Sequence, residues 1–209
     1  MAAAMVVSAM HDKRQLTRAD IMPLDEYTRV RRERRREITE IKKFRRIEVG
    51  PFATFYFENA ATMWLQIQEM LYIEKGGEAQ IDDELMAYNP LIPQGYELVT
   101  TIMFEIDDPV RRGRELARLG GIEDRAFLEI NGERIFGQAD PTRENTSAEG
   151  KASAVQFLRF EFTPAQISTF KTPSARIVAG FDHANYGHMT VMAEAVRAVL
   201  AGDFAKEAS

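Results

Sequence analysis

The chain has 209 residues, a formal net charge of −5 and no cysteine. Its 45% hydrophobic and 28% charged residues are proportions typical of a globular protein with a buried core, which excludes disorder as the state of the whole chain. The absence of cysteine excludes disulfides, zinc–thiolate sites, iron–sulfur ligation and thiol catalysis, so a bound metal would need histidine, carboxylate, amide, tyrosine or backbone ligands.

The N-terminal segment "MAAAMVVSAM" is short and apolar, and the basic residues Lys13 and Arg14 follow it. A secretory signal has its basic residues before the apolar run, so we predict a flexible tail over residues 1–15 and a single α+β domain over residues 16–209. No stretch has the ~20 apolar residues that cross a bilayer. We therefore expect a cytoplasmic protein with no membrane contact.

Basic residues are concentrated near the N-terminus. Residues 13–46 hold thirteen basic and six acidic side chains, a local charge of +7, which leaves −12 for the rest of the chain. The stretch "LTRADIMPLDEYTRVRRERRREITEIKKFRR" predicts a short helix followed by a long basic one, with Thr17 and Asp20 resembling a capping box.

Six of the eight residues from Arg29 to Arg36 are arginine, and on a helix they spread around most of the circumference. Nucleic-acid binding usually requires one basic face that also carries side chains able to contact bases. The pattern therefore favours a solvated helix or a docking contact, either with a second copy in a homo-oligomer or with an acidic partner protein. Nucleic-acid binding is the weaker interpretation.

The middle of the chain mixes strands and helices. "RRIEV" and "ATFYF" predict two strands joined by a turn at Gly50-Pro51. Asn59 is predicted to cap the helix "AATMWLQIQEMLYIEKGG", and a shorter helix follows in "AQIDDELMAYN". "YELVTTIMFEI" alternates as a long strand. Glu58 at the end of a strand and Glu69 on the capped helix are expected to be exposed unless they bind a ligand.

The second half adds hairpin signals. Asp108-Pro109 predicts a helix start, and "FLEINGERIF" predicts a hairpin with Asn131-Gly132 as a type I′ turn. A long loop is expected over residues 139–153, followed by the strands "AVQFLRFEF" and "ARIVAGFDH" and the C-terminal helix "MTVMAEAVRAVLAGDF". We therefore predict an α+β fold with a mixed, mostly antiparallel sheet of about six to seven strands flanked by helices.

The stretch "FDHANYGHM" holds His183 and His188 in a predicted strand-to-turn segment. Three interpretations are open: structural histidines that are hydrogen-bonded to the turn, two ligands of a metal, or an acid/base pair that titrates near neutral pH. Asp182 and Tyr186 could ligate a metal or orient the imidazoles.

A metal at this turn would need ligands from elsewhere in the chain, because two imidazoles supply only half of a coordination shell. The predicted set is His183 and His188 with Glu58 and Glu69, binding a non-haem iron, manganese or zinc ion.

The chain resembles the bacterial domain-of-unknown-function 3501 family from about Leu16 to Phe204. The similar stretches are "FYFENAATMWLQIQEMLYIEKGGEAQIDDELMAYNPLIP", "ELVTTIMFEIDDPVRR", "GKASAVQFLRFEF" and "HANYGHM". The resemblance implies no reaction and no catalytic residue. It implies a genomic context beside rubrerythrin and an iron–sulfur protein, and hence a rubrerythrin-like redox partner in iron or peroxide metabolism. The alternative is a non-catalytic scaffold that docks through the basic helix.

Overall fold

The structure is a computed structural model that describes Met10, residues 13–140 and residues 145–205. Most of the tail predicted for residues 1–15, and residues 141–144 of the predicted loop, lie outside the described residues.

Helices and strands are interspersed along the described part of the chain. The α-helices are α1 (Leu24–Lys43), α2 (Ala60–Glu74), α3 (Gln80–Tyr88), α4 (Pro109–Leu116), α5 (Pro164–Lys171) and α6 (Glu194–Leu200). The strands are β1 (Arg46–Val49), β2 (Ala53–Phe57), β3 (Glu97–Phe104), β4 (Ala126–Ile130), β5 (Glu133–Phe136), β6 (Gln138–Ala139), β7 (Val155–Glu161), β8 (Ile177–Phe181) and β9 (Met189–Val191).

The α+β class is confirmed, but the strands form two sheets rather than one. The first sheet has the order β1-β2-β3-β7-β6 and the second has the order β5-β4-β8-β9, and every pairing in them is antiparallel. Within the described residues, the predicted mixed sheet of six to seven strands is therefore corrected to nine antiparallel strands in two sheets. Alternation along a strand predicts its two faces but not its neighbours, so sequence periodicity could not divide the strands between two sheets.

Two of the nine strands were not predicted. β6 lies at the start of the predicted 139–153 loop and pairs with β7. β9, Met189–Val191, occupies the predicted beginning of the C-terminal helix and pairs with β8. That helix begins only at Glu194.

The main core lies between the two sheets. It joins buried side chains of the first sheet, such as Phe55 and Ile102, to Leu128 and Phe181 of the second. A second apolar cluster, which includes Trp64 and Val99, packs the helices on the outer face of the first sheet. The first sheet is thus covered on both faces, by the second sheet and by helices α1 to α3.

The predicted type I′ turn and the predicted helix cap are both confirmed. Asn131 and Gly132 have φ values of 50° and 92°, the left-handed conformations that a type I′ turn requires, and Glu129 lies opposite Arg134. Asn59 caps α2 by accepting a hydrogen bond from the amide of Thr62 at 3.0 Å.

Helix α1 carries the arginine run and packs on α2. Its buried side chains are Tyr27, Arg34 and Ile38. Tyr27 and Ile38 anchor the helix on either side of the arginine run, and most of the run itself is exposed, as the pattern of a solvated helix predicted. Across the described residues, no helix combines the length and apolar character that a bilayer span requires.

Candidate functional site

His183 lies in the turn that follows β8, and both of its ring nitrogens have hydrogen-bond partners. Its Nδ1 accepts a hydrogen bond from the amide of Asn185 at 3.2 Å, so Nε2 carries the proton and donates to the carbonyl of Gly120 at 3.3 Å. The backbone of His183 also bridges to Tyr186. These contacts support the first of the three interpretations, in which the imidazole is hydrogen-bonded to the turn.

Tyr186 is buried, and its hydroxyl is occupied by backbone groups. It donates to the carbonyl of Val49 at 2.7 Å and accepts from the amides of Phe52 and Ala53 at 3.2 and 3.1 Å. Burial raises the pKa of Tyr186, although the two amide donors act in the opposite direction. The side chain therefore fastens the β1–β2 turn to the second sheet.

His188 and Asp182, the other two candidates of this turn, are both exposed and each contacts a neighbouring side chain. The exposed His188 ring packs on the Tyr186 ring with centroids 4.6 Å apart, over Gly50, where a Cβ atom would approach the imidazole to 2.7 Å. Asp182 is exposed and accepts from Arg134 Nη1 at 3.1 Å. His188 thus makes a ring contact at the surface, and Asp182 makes a surface ion pair.

Glu69 is the centre of a polar cluster in the helical layer. Its carboxylate accepts two hydrogen bonds from Arg31, both at 2.8 Å, and a third from the hydroxyl of Tyr27. Burial alone would raise the pKa of Glu69, but the hydrogen bonds from Arg31 and Tyr27 outweigh burial and lower it. Glu69 therefore connects α2 to α1.

The four predicted metal ligands do not meet. In the part of the chain that the structure describes, no group of three or more histidine and acidic side chains is arranged to hold a metal ion. His183, His188, Glu58 and Glu69 each contact different partners. A metal site at these residues stays a prediction.

Glu58 is the most deeply buried of the four predicted metal ligands. It follows β2 and immediately precedes Asn59, the cap of α2, and it is only 5% exposed. Thr101 Oγ1 donates to Glu58 Oε1 at 2.7 Å, and Thr62 Oγ1 donates to Oε2 at 2.5 Å. The expectation of an exposed Glu58 is therefore wrong, because β3 and the first turn of α2 enclose its carboxylate.

The backbone of Glu58 is held as firmly as its side chain. Its amide donates to the carbonyl of Val99 at 2.8 Å, and its carbonyl accepts from Arg45 Nη2 at 3.0 Å. Arg45 is itself buried, donates to the carbonyl of Phe57 at 2.9 Å and pairs with the buried Asp203. The position of the carboxylate is thus fixed before any ligand binds.

Glu58 lines a cavity of about 410 Å³ between the helical layer and the outer face of the first sheet. The apolar side chains of its wall are Met63, Leu91, Met103, Val155 and Phe157. The polar ones are Lys42, Tyr56, Gln66, Tyr88 and Thr101. Although about half of the lining side chains are polar, most of the surface that the wall presents is apolar, and a cavity of this volume is typical of a small-molecule site.

No basic side chain of the described residues forms an ion pair with Glu58, although Lys42 lines the same cavity. A buried carboxylate without a cationic partner is costly unless hydrogen bonds compensate. Two hydroxyl donors and the positive end of α2 supply part of that compensation. Each oxygen of the carboxylate keeps further acceptor capacity, so Glu58 can bind a donor or accept a proton from a molecule in the cavity.

Other residues around the cavity were not predicted to be functional. Tyr56 donates to Glu105 at 2.8 Å, and Gln66 donates to the hydroxyl of Tyr88 at 3.3 Å, which holds these polar groups in place. The alternation of "YELVTTIMFEI" predicted a strand with two faces, but it offered no sign that helices cover part of one of them.

Comparisons with known proteins extend the similarity over most of the chain. The model of a family described as "Protein of unknown function (DUF3501)" matches residues 15–204. A crystal structure of a novel protein of unknown function from Burkholderia pseudomallei K96243, at 1.90 Å resolution, is 38% identical with a TM-score of 0.85. The match covers 91% of this chain and 100% of that one. The comparison with curated proteins gave no match.

Proposed function

We propose a binding function for this chain, which belongs to the DUF3501 family of proteins of unknown function. In this proposal, the cavity over Glu58 binds a small, mainly apolar molecule that carries an amine. The observation that supports it most directly is a carboxylate that is 5% exposed, held by two threonine hydroxyls, and unpaired with any basic side chain of the described residues.

An amine fits the Glu58 carboxylate because it brings both positive charge and several hydrogen-bond donors. Charge-assisted hydrogen bonds are roughly twice as strong as neutral ones, and the low dielectric of a buried site strengthens them further. Since Thr62 and Thr101 already position the carboxylate, the amine would bind without a rearrangement of the side chain.

The rest of the cavity wall favours a hydrocarbon body on that amine. Met63, Met103 and Phe157 present thioether and aromatic surface, which adapts to ligands of irregular shape. Burying an apolar body contributes about 25 cal/mol per Å² of surface removed from water. Lys42, at the C-terminal end of α1, would repel a second cationic group, which favours a molecule with one amine.

Thermal unfolding with matched probes tests this proposal. 2-Phenylethylamine carries the amine, and 3-phenylpropionate carries a carboxylate on a similar body. The amine should raise the Tm of the wild-type protein, because a ligand that binds only the folded state stabilises it. The shift should be lost in Glu58→Gln and kept in Glu48→Gln, which removes an exposed carboxylate outside the cavity.

A second variant protects the test against a Glu58→Gln protein that folds poorly. Met103→Trp fills the cavity from β3 and leaves the carboxylate in place. It should also abolish the shift with 2-phenylethylamine. Equal stabilisation by the carboxylate probe, or an amine shift that survives in both variants, would contradict the proposal.

The metal and redox roles stay predictions. Neither the fold nor the contacts of His183 and His188 supports a link to iron or peroxide metabolism or to a rubrerythrin-like partner. Elemental analysis of protein purified without a histidine tag, together with His183→Ala and His188→Ala, tests the metal. Stoichiometric metal that both variants lose would support it.

Docking of the chain through the basic helix, to a second copy or to an acidic partner, also stays a prediction. Size-exclusion chromatography at low and high salt tests it, because salt screens ion pairs at a surface.

A further inference from the structure

A groove of about 510 Å³ runs along the exposed side of α1, separate from the Glu58 cavity. Its walls include Arg31, Arg32, Arg35 and Arg36 from α1 and Tyr72 from α2. Four guanidinium groups therefore line one groove at the surface, where they are open to solvent and flanked by side chains of two helices.

Part of this arginine groove is fixed in place. Arg31 donates two hydrogen bonds of 2.8 Å to Glu69, and its guanidinium lies 4.3 Å from the centre of the Tyr72 ring. Arg35 Nε is 3.8 Å from the same carboxylate. Glu69 is thus shared by two arginines and also accepts a hydrogen bond from Tyr27, so its capacity to neutralise further charge is used up.

The other two arginines have no acidic partner within the described residues. Arg32 and Arg36 are exposed, and they are four residues apart on one helix. Side chains at this spacing have Cβ atoms about 5–6 Å apart, and like charges there destabilise a helix. The groove has four lining arginines, and Glu69 pairs with two of them, Arg31 and Arg35, so these five groups carry an excess positive charge of about three.

We propose that the arginine groove binds a compact anion with several phosphoryl groups. A guanidinium donates parallel hydrogen bonds to two oxygens of one phosphoryl group, and an array of them matches consecutive groups. An anion with three or more charges would neutralise the groove and turn the repulsion between Arg32 and Arg36 into attraction to a shared ligand. A single phosphate carries at most about two negative charges at neutral pH, too few to neutralise an excess of about three.

The groove is less suited to a nucleic acid. Single-stranded nucleic acids bind by stacking bases on aromatic faces. Tyr72 is the aromatic residue of this groove, and the guanidinium of Arg31 already lies over its ring. The binding energy would therefore come from charge, which a compact oligophosphate supplies at higher density.

Calorimetric titration with inorganic tripolyphosphate tests this proposal. The full-length protein should bind it saturably, more weakly as salt is raised. Arg32→Gln combined with Arg36→Gln should weaken binding at least about tenfold, since the variant loses two of the four guanidinium groups that would contact the anion. The matched control is Arg29→Gln with Arg46→Gln, which removes the same charge outside the groove. This control should bind within about twofold of wild type.

Four outcomes would overturn the proposal: no saturable binding, equal loss in the control, citrate binding as tightly as tripolyphosphate, or binding of a single-stranded oligonucleotide without binding of tripolyphosphate. None of them bears on the Glu58 cavity, because the groove and the cavity share no lining residue.

Discussion

Thr101 donates its hydroxyl to Oε1 of Glu58 across 2.7 Å, from a neighbouring strand of the same sheet. The other carboxylate oxygen accepts from Thr62, in the first turn of α2. One buried carboxylate is therefore bonded to the sheet on one side and to the helical layer on the other. This double attachment explains how the protein keeps an acidic group inside a mainly apolar cavity.

Replacing Thr101 with valine should destabilise the protein by roughly 1–3 kcal/mol, because a buried acceptor loses one donor while the shape of the side chain is conserved. Urea unfolding of Thr101→Val against wild type measures the difference. In a Glu58→Leu background the same substitution should have little effect, since no carboxylate is left to satisfy. An undiminished effect of Thr101→Val in that background would show that the hydrogen bond does not stabilise the fold.

Tyr186→Phe should destabilise the protein by roughly 1–3 kcal/mol. The substitution removes one hydroxyl that serves the carbonyl of Val49 and the amides of Phe52 and Ala53, and these backbone groups lie where water has limited access. Tyr96→Phe is the matched control, because Tyr96 is half exposed and its change should stay within about 0.5 kcal/mol. Equal effects of the two substitutions in urea unfolding would contradict the role of Tyr186 in fastening the β1–β2 turn.

Glu69 should make the stability of the protein depend on pH in the acidic range. The pKa of Glu69 in the folded state lies below its usual value of 4.5. The stability that the ionised Glu69 carboxylate adds to the folded protein is therefore fully present above pH 4.5, and it is lost as the pH falls through the lower folded-state pKa. Glu69→Gln should have a lower free energy of unfolding than wild type at neutral pH, and this difference between the two proteins should become smaller below pH 4.5.

Urea unfolding of Glu69→Gln at several pH values measures that gap. The control is Glu40→Gln, which removes an exposed carboxylate from α1. Its effect should stay within about 0.5 kcal/mol. A gap between wild type and Glu69→Gln that stays constant from neutral pH to pH 3 would disprove the assignment.

The sequence predicted best those features that a few neighbouring residues determine. Asn131-Gly132 defines its turn because both residues adopt left-handed conformations at low cost, and Asn59 caps α2 because its side chain reaches an amide three residues along the chain. The α+β class followed from the same local signals. The partition of the strands into two sheets did not, since it depends on contacts between distant segments.

The environment of the candidate site also depends on contacts between residues that are distant in the sequence, which sequence patterns do not reveal. Glu58 was identified as a candidate for a different reason, as a metal ligand, and its burial depends on β3 and on the helices that pack over the sheet. Strand β9 was missed because "MTV" precedes a helical pattern, whereas Thr190 donates to the carbonyl of Glu48 at 2.8 Å and the segment pairs with β8. Tertiary contacts override local propensity in both cases.

The ion pair between Arg45 and Asp203 is nearly inaccessible to water, with side-chain exposures of 1% and 2%. Asp203→Asn leaves the Arg45 guanidinium buried without its carboxylate, which should destabilise the protein by roughly 3–5 kcal/mol. Asp182→Asn, which breaks an exposed pair with Arg134, should change stability by no more than about 1 kcal/mol. Because Arg45 also donates to the carbonyl of Glu58, a folded Asp203→Asn protein should lose part of the Tm shift with 2-phenylethylamine as well. If urea unfolding gave the same small loss for both aspartates, the C-terminal segment would have no special part in holding the strand that carries Glu58.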